Sequence, residues 1–238
     1  QFFPHAGTRL PVEYGQIPVN RFVSEPECDR YDTEQQALTV LYNHDFMNDW
    51  SLQAAARYSD STADYRTMYG WPPVFQEDNR SILRSISISD ASAKSLTSDI
   101  RLHGNKIWGQ VQHKLVFGID YQNAITDNDS LFIFGGGGLL DLYNPVYGQV
   151  ASFPTFDDVI DAPASQIYQT GFYVQDQMYL GNHWIVSAAL RRDVVKNKTE
   201  ITESFKSDAT TGRLGVMYRF DNNISPYVNY SESFEPLT

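Results

Sequence analysis

Apolar and polar side chains alternate one for one along most of this chain, and no other feature restricts its fold as much. From Ile107 to Tyr121 the odd positions read Ile107, Gly109, Val111, His113, Leu115, Phe117, Ile119 and Tyr121. The even positions read Trp108, Gln110, Gln112, Lys114, Val116, Gly118 and Asp120. A period of two held this long describes a β-strand with one greasy face and one wet face, whereas a helix would scatter the same residues around its circumference. The pattern returns over 38–46, 50–58, 82–102, 168–178, 184–194, 214–220 and 224–230. It predicts about eight antiparallel strands and no amphipathic helix.

The connections sort by length. Met47-Asn48-Asp49, Gly104-Asn105-Lys106, Gly181-Asn182 and Asp221-Asn222-Asn223 carry tight-turn chemistry, because Asn, Asp and Gly tolerate positive φ. Between them lie longer polar or Gly/Pro-rich stretches at 1–33, 69–80, 129–165 and 200–210. Alternating short and long connections are how a bacterial outer-membrane barrel is built, with short periplasmic turns and long external loops. A soluble sandwich has no reason to gather its long loops at one end, and its strands usually run to about five or six residues. Phe46, Trp50, Trp108, Tyr179 and Trp184 fall beside the short turns, where a girdle of rings would meet lipid headgroups. Two polar residues, His113 and Asp176, sit on the apolar register within a few residues of that end. There a charge costs about 0–1 kcal/mol, against about 2–4 kcal/mol at the bilayer midplane.

Hydropathy does not contradict a membrane wall. The mean hydropathy of -0.40 is what a barrel shows when alternate residues face a polar lumen. No run of 18 apolar residues is present, so no helix crosses a bilayer. The net charge of -11, from 18 Lys and Arg against 29 Asp and Glu, opposes nucleic acid as a partner, since phosphate binding needs clustered cations. The polar face is rich in Gly, Ser, Ala, Gln and Asn, whereas a closed barrel of eight strands would need a dense, charge-paired lumen. The expectation is an all-β fold: an antiparallel transmembrane β-barrel section, about eight long strands of a wall of about 22. All of 1–238 would be barrel, with any plug domain and the remaining strands outside it.

Three segments resemble TonB-dependent siderophore receptors: Gln169-Thr170-Gly171-Phe172-Tyr173-Val174-Gln175-Asp176-Gln177, Thr211 through Asn222, and Tyr227-Val228-Asn229-Tyr230-Ser231-Glu232-Ser233-Phe234-Glu235-Pro236. Leu115 through Tyr121 and Leu139-Leu140-Asp141-Leu142-Tyr143-Asn144-Pro145-Val146 narrow the resemblance to the ferric-hydroxamate branch, the ferrichrome and ferrioxamine type. The resemblance implies an outer-membrane receptor that binds a ferric siderophore from outside and imports it with energy delivered through TonB. In that family the TonB-contacting segment and the plug precede the barrel. The siderophore is cargo, and no covalent cofactor is implied. Carried over position by position, Tyr69-Gly70-Trp71 matches a pair of ligand-facing aromatics separated by glycine. Phe134 matches a further ring ahead of the Leu-Tyr-Asn-Pro-Val string, and Phe2 stands where the family often has Trp. A compact, apolar iron complex suits such aromatic walls.

Other motifs point elsewhere less well. Gly135-Gly136-Gly137-Gly138 lacks the strand-to-helix context of a phosphate cradle. The acidic groups Glu25, Glu27, Asp29 and Asp32, and Asp157, Asp158 and Asp161, lack the spacing of a calcium loop. The five histidines lack close metal-ligand spacing, and no G-x-S-x-G elbow marks a nucleophile. Cys28, the single cysteine, excludes an internal disulfide. Three alternatives stay open: a passive porin or complete small barrel, a soluble β-rich binding domain, and an outer-membrane barrel hydrolase.

Overall fold

In the computed structural model, which describes residues 3–150, 153–199, 201 and 204–236, eight strands form one sheet in sequence order. They are β1 (Arg30–Phe46), β2 (Trp50–Phe75), β3 (Ser81–Trp108), β4 (Val111–Asp141), β5 (Ser165–Leu180), β6 (Trp184–Thr199), β7 (Phe205–Tyr218) and β8 (Tyr227–Ser231). The only helical turn among the described residues is a 3-10 turn at Phe156–Asp158. The registers of β4 through β8 are antiparallel without crossover, for example Phe117 against Val174, Val174 against Leu190 and Leu190 against Gly212.

The boundaries differ from the sequence reading in two respects. Residues 69–75 and 129–141 are strand, so the β2–β3 connection shrinks to 76–80 and the β4–β5 connection to 142–164. Likewise β7 starts at Phe205, which leaves 200–204 as the link from β6. Polar composition does not stop a strand whose neighbours still supply a ladder, so part of the length assigned to loops extends strands instead. The second difference is the β3–β4 turn. Gly104-Asn105-Lys106 lies inside β3, and the chain reverses at Gly109-Gln110, with Gly109 at φ 62°. A two-residue turn reverses the odd–even parity, so Trp108 rather than Ile107 shares the face of Val111 and His113. The Trp108 and His113 rings lie 4.6 Å apart. The other short turns hold as read, with Asn48, Asp49, Gly181 and Asn223 at positive φ.

The chain divides into two compact units. The first comprises 1–35, 61–92 and 127–162. Here one face of the strands is covered by the chain's own loops. Ile17, Val23, Ile82, Leu140 and Leu142 form one core cluster, joined by Phe3, Phe75, Tyr143 and Tyr147. Met68, Ile86 and Ile88 form a second, roofed by Val150, Phe153, Phe156 and Val159. The covering loops are tied down by Tyr143 Oη donating to Gly15 O at 2.7 Å and Tyr147 Oη donating to Phe22 O at 2.9 Å.

The second unit comprises 36–60, 93–126 and 163–238. Its apolar face is bare: Leu38, Val40, Phe117, Phe172, Leu190 and Leu214 are all exposed. At the short turns that face carries Phe46, Trp50, Trp108 and Trp184, with Tyr218 packed edge-on to Trp184 at 4.7 Å. Tyr179 does not join them. The apolar register of β5 is even-numbered, and Tyr179 pairs with Gln112 on the polar face and accepts a hydrogen bond from Gln177 Nε2 at 3.0 Å. The two polar residues picked out on the apolar register pair with each other, His113 Nδ1 lying 2.7 Å from Asp176 Oδ2, while Asp176 Oδ1 is buried without a hydrogen-bond partner.

Candidate functional site

In the loop-bearing unit, successive side chains point to opposite faces. Met68 on β2 and Ile133 on β4 pack under the loops. Tyr69 and Trp71 therefore project on the other side of β2, as Phe132 and Phe134 do on β4. The Tyr69 and Phe132 rings reach each other at 6.3 Å, tilted by 33°. They do so across β3, where alternation places Ser85 and Ser87 between the two aromatic columns. Ser85 is fully buried. Its hydroxyl accepts from Gly135 N–H at 3.2 Å and donates to Trp71 O at 3.4 Å, so it touches the backbone beside both columns. Trp71 and Phe134 are 44% and 62% exposed.

Three of the four candidate residues, Tyr69, Trp71 and Phe134, thus share one face; Phe2 lies outside the described residues. Phe132 is a member that sequence reasoning passed over. The sequence carried no signal for it while 129–165 read as a loop; only with β4 running to Asp141 does Phe132, two positions before Phe134, share its face.

Behind this wall, Arg84 and Glu25 form an ion pair at 2.8 Å, both almost wholly buried. Cys28 is also buried, with burial as the main cause pushing its thiol up to about 11, and Arg66 opposing. It packs beside Arg66, whose Nε donates to the Cys28 carbonyl at 2.9 Å.

The other unit carries a charged patch on its polar face, which the composition of that face did not suggest. Arg191 makes paired contacts to Asp120 (2.6 and 2.9 Å) and to Asp193 (2.7 and 2.6 Å). Gln169 Nε2 donates to Asp193 at 3.0 Å, and Tyr173 Oη donates to Asp99 at 2.7 Å. Gly171 and Gly118 permit this. A Cβ on Gly171 would overlap the Arg191 guanidinium, and one on Gly118 would overlap the Tyr173 ring. Both large side chains therefore lie flat along the sheet. No group of three or more His, Cys, Asp or Glu suited to a metal ion occurs among the described residues.

A sheet with one bare apolar face, one charged face, aromatics at its short turns and an aromatic cluster among its long extensions is the wall of an outer-membrane β-barrel. Residues 4–238 match the family described as TonB dependent receptor-like, beta-barrel, and the chain belongs to that family. Its members are outer-membrane receptors and transporters rather than enzymes. The chain is 30% identical over 243 residues to the ferrioxamine B receptor of Salmonella typhimurium strain SL1344, covering 99% of this chain and 33% of that protein. It is 25% identical to the ferrichrome outer membrane transporter/phage receptor of Escherichia coli K12, over 99% of this chain and 34% of the relative. The chain thus spans about a third of the length of the curated relatives it matches. Among solved structures, the open form of the ferric-catecholate import receptor Fiu from E. coli K12 superposes with a TM-score of 0.78 at 16% identity, covering 99% of this chain and 40% of that one. The siderophore receptor PiuA from Acinetobacter baumannii gives 0.76 at 16% identity, over 90% and 34%. These two likenesses establish the fold.

Proposed function

We propose that this chain is part of the barrel wall of a receptor that binds a ferric siderophore of the hydroxamate class and imports it with TonB-derived energy. The remaining strands, the plug and the TonB-contacting segment would belong to the rest of a longer protein. Tyr69, Trp71 and Phe134, with Phe132 added, would grip the ligand, and Phe2 is a fourth candidate from the sequence. The observation carrying this reading is the approach of Tyr69 and Phe132 across a serine-lined strand, on the face opposite the packed loops. Aromatic walls suit a compact complex whose iron is wrapped by an apolar ligand shell. The hydroxamate class is favoured because the ferrioxamine B and ferrichrome proteins are among the relatives. A metal-pseudopaline receptor of Pseudomonas aeruginosa at 26% identity makes ligand chemistry the point to test.

In the full-length receptor, Trp71→Ala weakens binding of ferric ferrioxamine B by about 1–3 kcal/mol, the worth of a buried aromatic contact. Fluorescence quenching titration measures it. Unchanged affinity removes Trp71 from the site, and preference for a ferric catecholate over the hydroxamate overturns the ligand class.

A further inference from the structure

The Arg84–Glu25 pair is a poor investment if its role is only stability. Two charges taken out of water lose hydration that their mutual attraction barely returns, and apolar pairs of similar volume often hold a fold equally well. What such a pair supplies is one defined geometry, because each of its hydrogen bonds must be met. Here Arg84 Nη1 donates to Glu25 Oε1 at 2.8 Å, and Arg84 Nε donates to Gly137 O on β4 at 3.1 Å. Glu25 Oε2 accepts from Gly148 N–H at 2.7 Å. The neighbouring Ser24, fully buried, accepts the Met68 N–H of β2 through its hydroxyl at 2.9 Å.

The loop segment Ser24-Glu25 is therefore fastened to β2 one residue before Tyr69. Through Arg84 it is also fastened to β4 three residues after Phe134. Gly137 makes the second link possible, since a Cβ there would stand 2.8 Å from the Arg84 Cβ and 2.7 Å from the Met68 sulfur.

We infer that Arg84 and Glu25 are positioning residues for the aromatic wall. From the opposite face, they set the spacing between the strand bearing Tyr69 and Trp71 and the strand bearing Phe132 and Phe134. This rests on the reading of that wall as the siderophore site. A site held an ångström too loosely loses affinity without losing its residues.

The test is the double variant Arg84→Met with Glu25→Leu in the full-length receptor in detergent micelles, titrated with ferric ferrioxamine B beside Trp71→Ala. The expected result is a thermal transition close to wild type with affinity weakened by about tenfold, through faster release. Wild-type affinity in the double variant, alongside a loss at Trp71→Ala, overturns the positioning role and leaves the site intact. No loss at Trp71→Ala overturns the reading of the site beneath it. If the double variant does not fold, Glu25→Gln decides. Its affinity is expected to fall about threefold or more, because one acceptor is lost with shape preserved, and unchanged affinity overturns the inference.

Discussion

At the scale of single residues, the structure is most specific where two side chains settle a requirement jointly. Gly118 and Tyr173 are directly paired across β4 and β5, and the glycine is what lets the ring lie over its neighbour and reach Asp99. Gly118→Ala forces the ring away and breaks that hydrogen bond. It should destabilise the receptor by about 1–3 kcal/mol, the usual cost of overpacking, as a lower denaturant midpoint in micelles. Cys28 is a second case. Buried, with its thiol held neutral at ordinary pH, it should resist iodoacetamide at pH 8 in the folded receptor and react fully once unfolded; mass spectrometry of its peptide would show both. Alternation announced which residues share a face within each strand it marked, but Tyr69 and Trp71 were paired by the family resemblance, because 69–80 read as a loop until β2 was seen to run to Phe75. The meeting of Tyr69 with Phe132 was not legible, because it depends on the register of three strands. The same limit hid the pairing of His113 with Asp176, two exceptions to the pattern that become one interaction only when β4 and β5 are aligned.

Elements show a different division. Strand existence and order followed from period and turn chemistry, but strand length did not. A bilayer is crossed by about 9–11 strand residues, yet β2, β3 and β4 run to 26, 28 and 31. In the loop-bearing unit the apolar row Met68, Ile86 and Ile88 is covered by the chain itself. Lipid-like patterning there reports burial under loops, and sequence alone assigns both the same signal. The turn 76–80 and the start of the β4–β5 loop are stapled by aspartates. Asp78 accepts the Ser81 N–H at 2.8 Å and the Arg80 N–H at 3.1 Å, and the Ser81 bonds hold its carboxyl below the usual range. Burial pushes Asp141 upward, but its ion pair with Arg80 and the N–H groups of Tyr143 and Asn144 outweigh that and leave it lowered. Both folded values are depressed, so the stabilisation is complete above the unfolded aspartate value of about 4 and is lost as pH falls through the folded one. Amide exchange at 76–81 and 141–144 should therefore be no faster at pH 5 than expected from chemistry alone, and should rise beyond it near pH 3. Protection unchanged at pH 3 contradicts this.

For the molecule as a whole, the account rests on what each side of the sheet meets. An open eight-stranded sheet has unpaired backbone at β1 and β8, an association hazard in water, so the 238-residue chain produced alone should aggregate rather than melt as a soluble cooperative monomer. The most direct measurement is a nitroxide scan along β6 in the full-length receptor, reconstituted in lipid bilayers. One label at a time would replace Val186, Ser187, Ala188, Ala189 and Leu190. Collision with membrane-dissolved oxygen should peak at 186, 188 and 190 and fall at 187 and 189. A water-soluble relaxing agent that reaches 186, 188 and 190, or oxygen accessibility without a period of two, would contradict a wall with lipid on one side and the bore on the other.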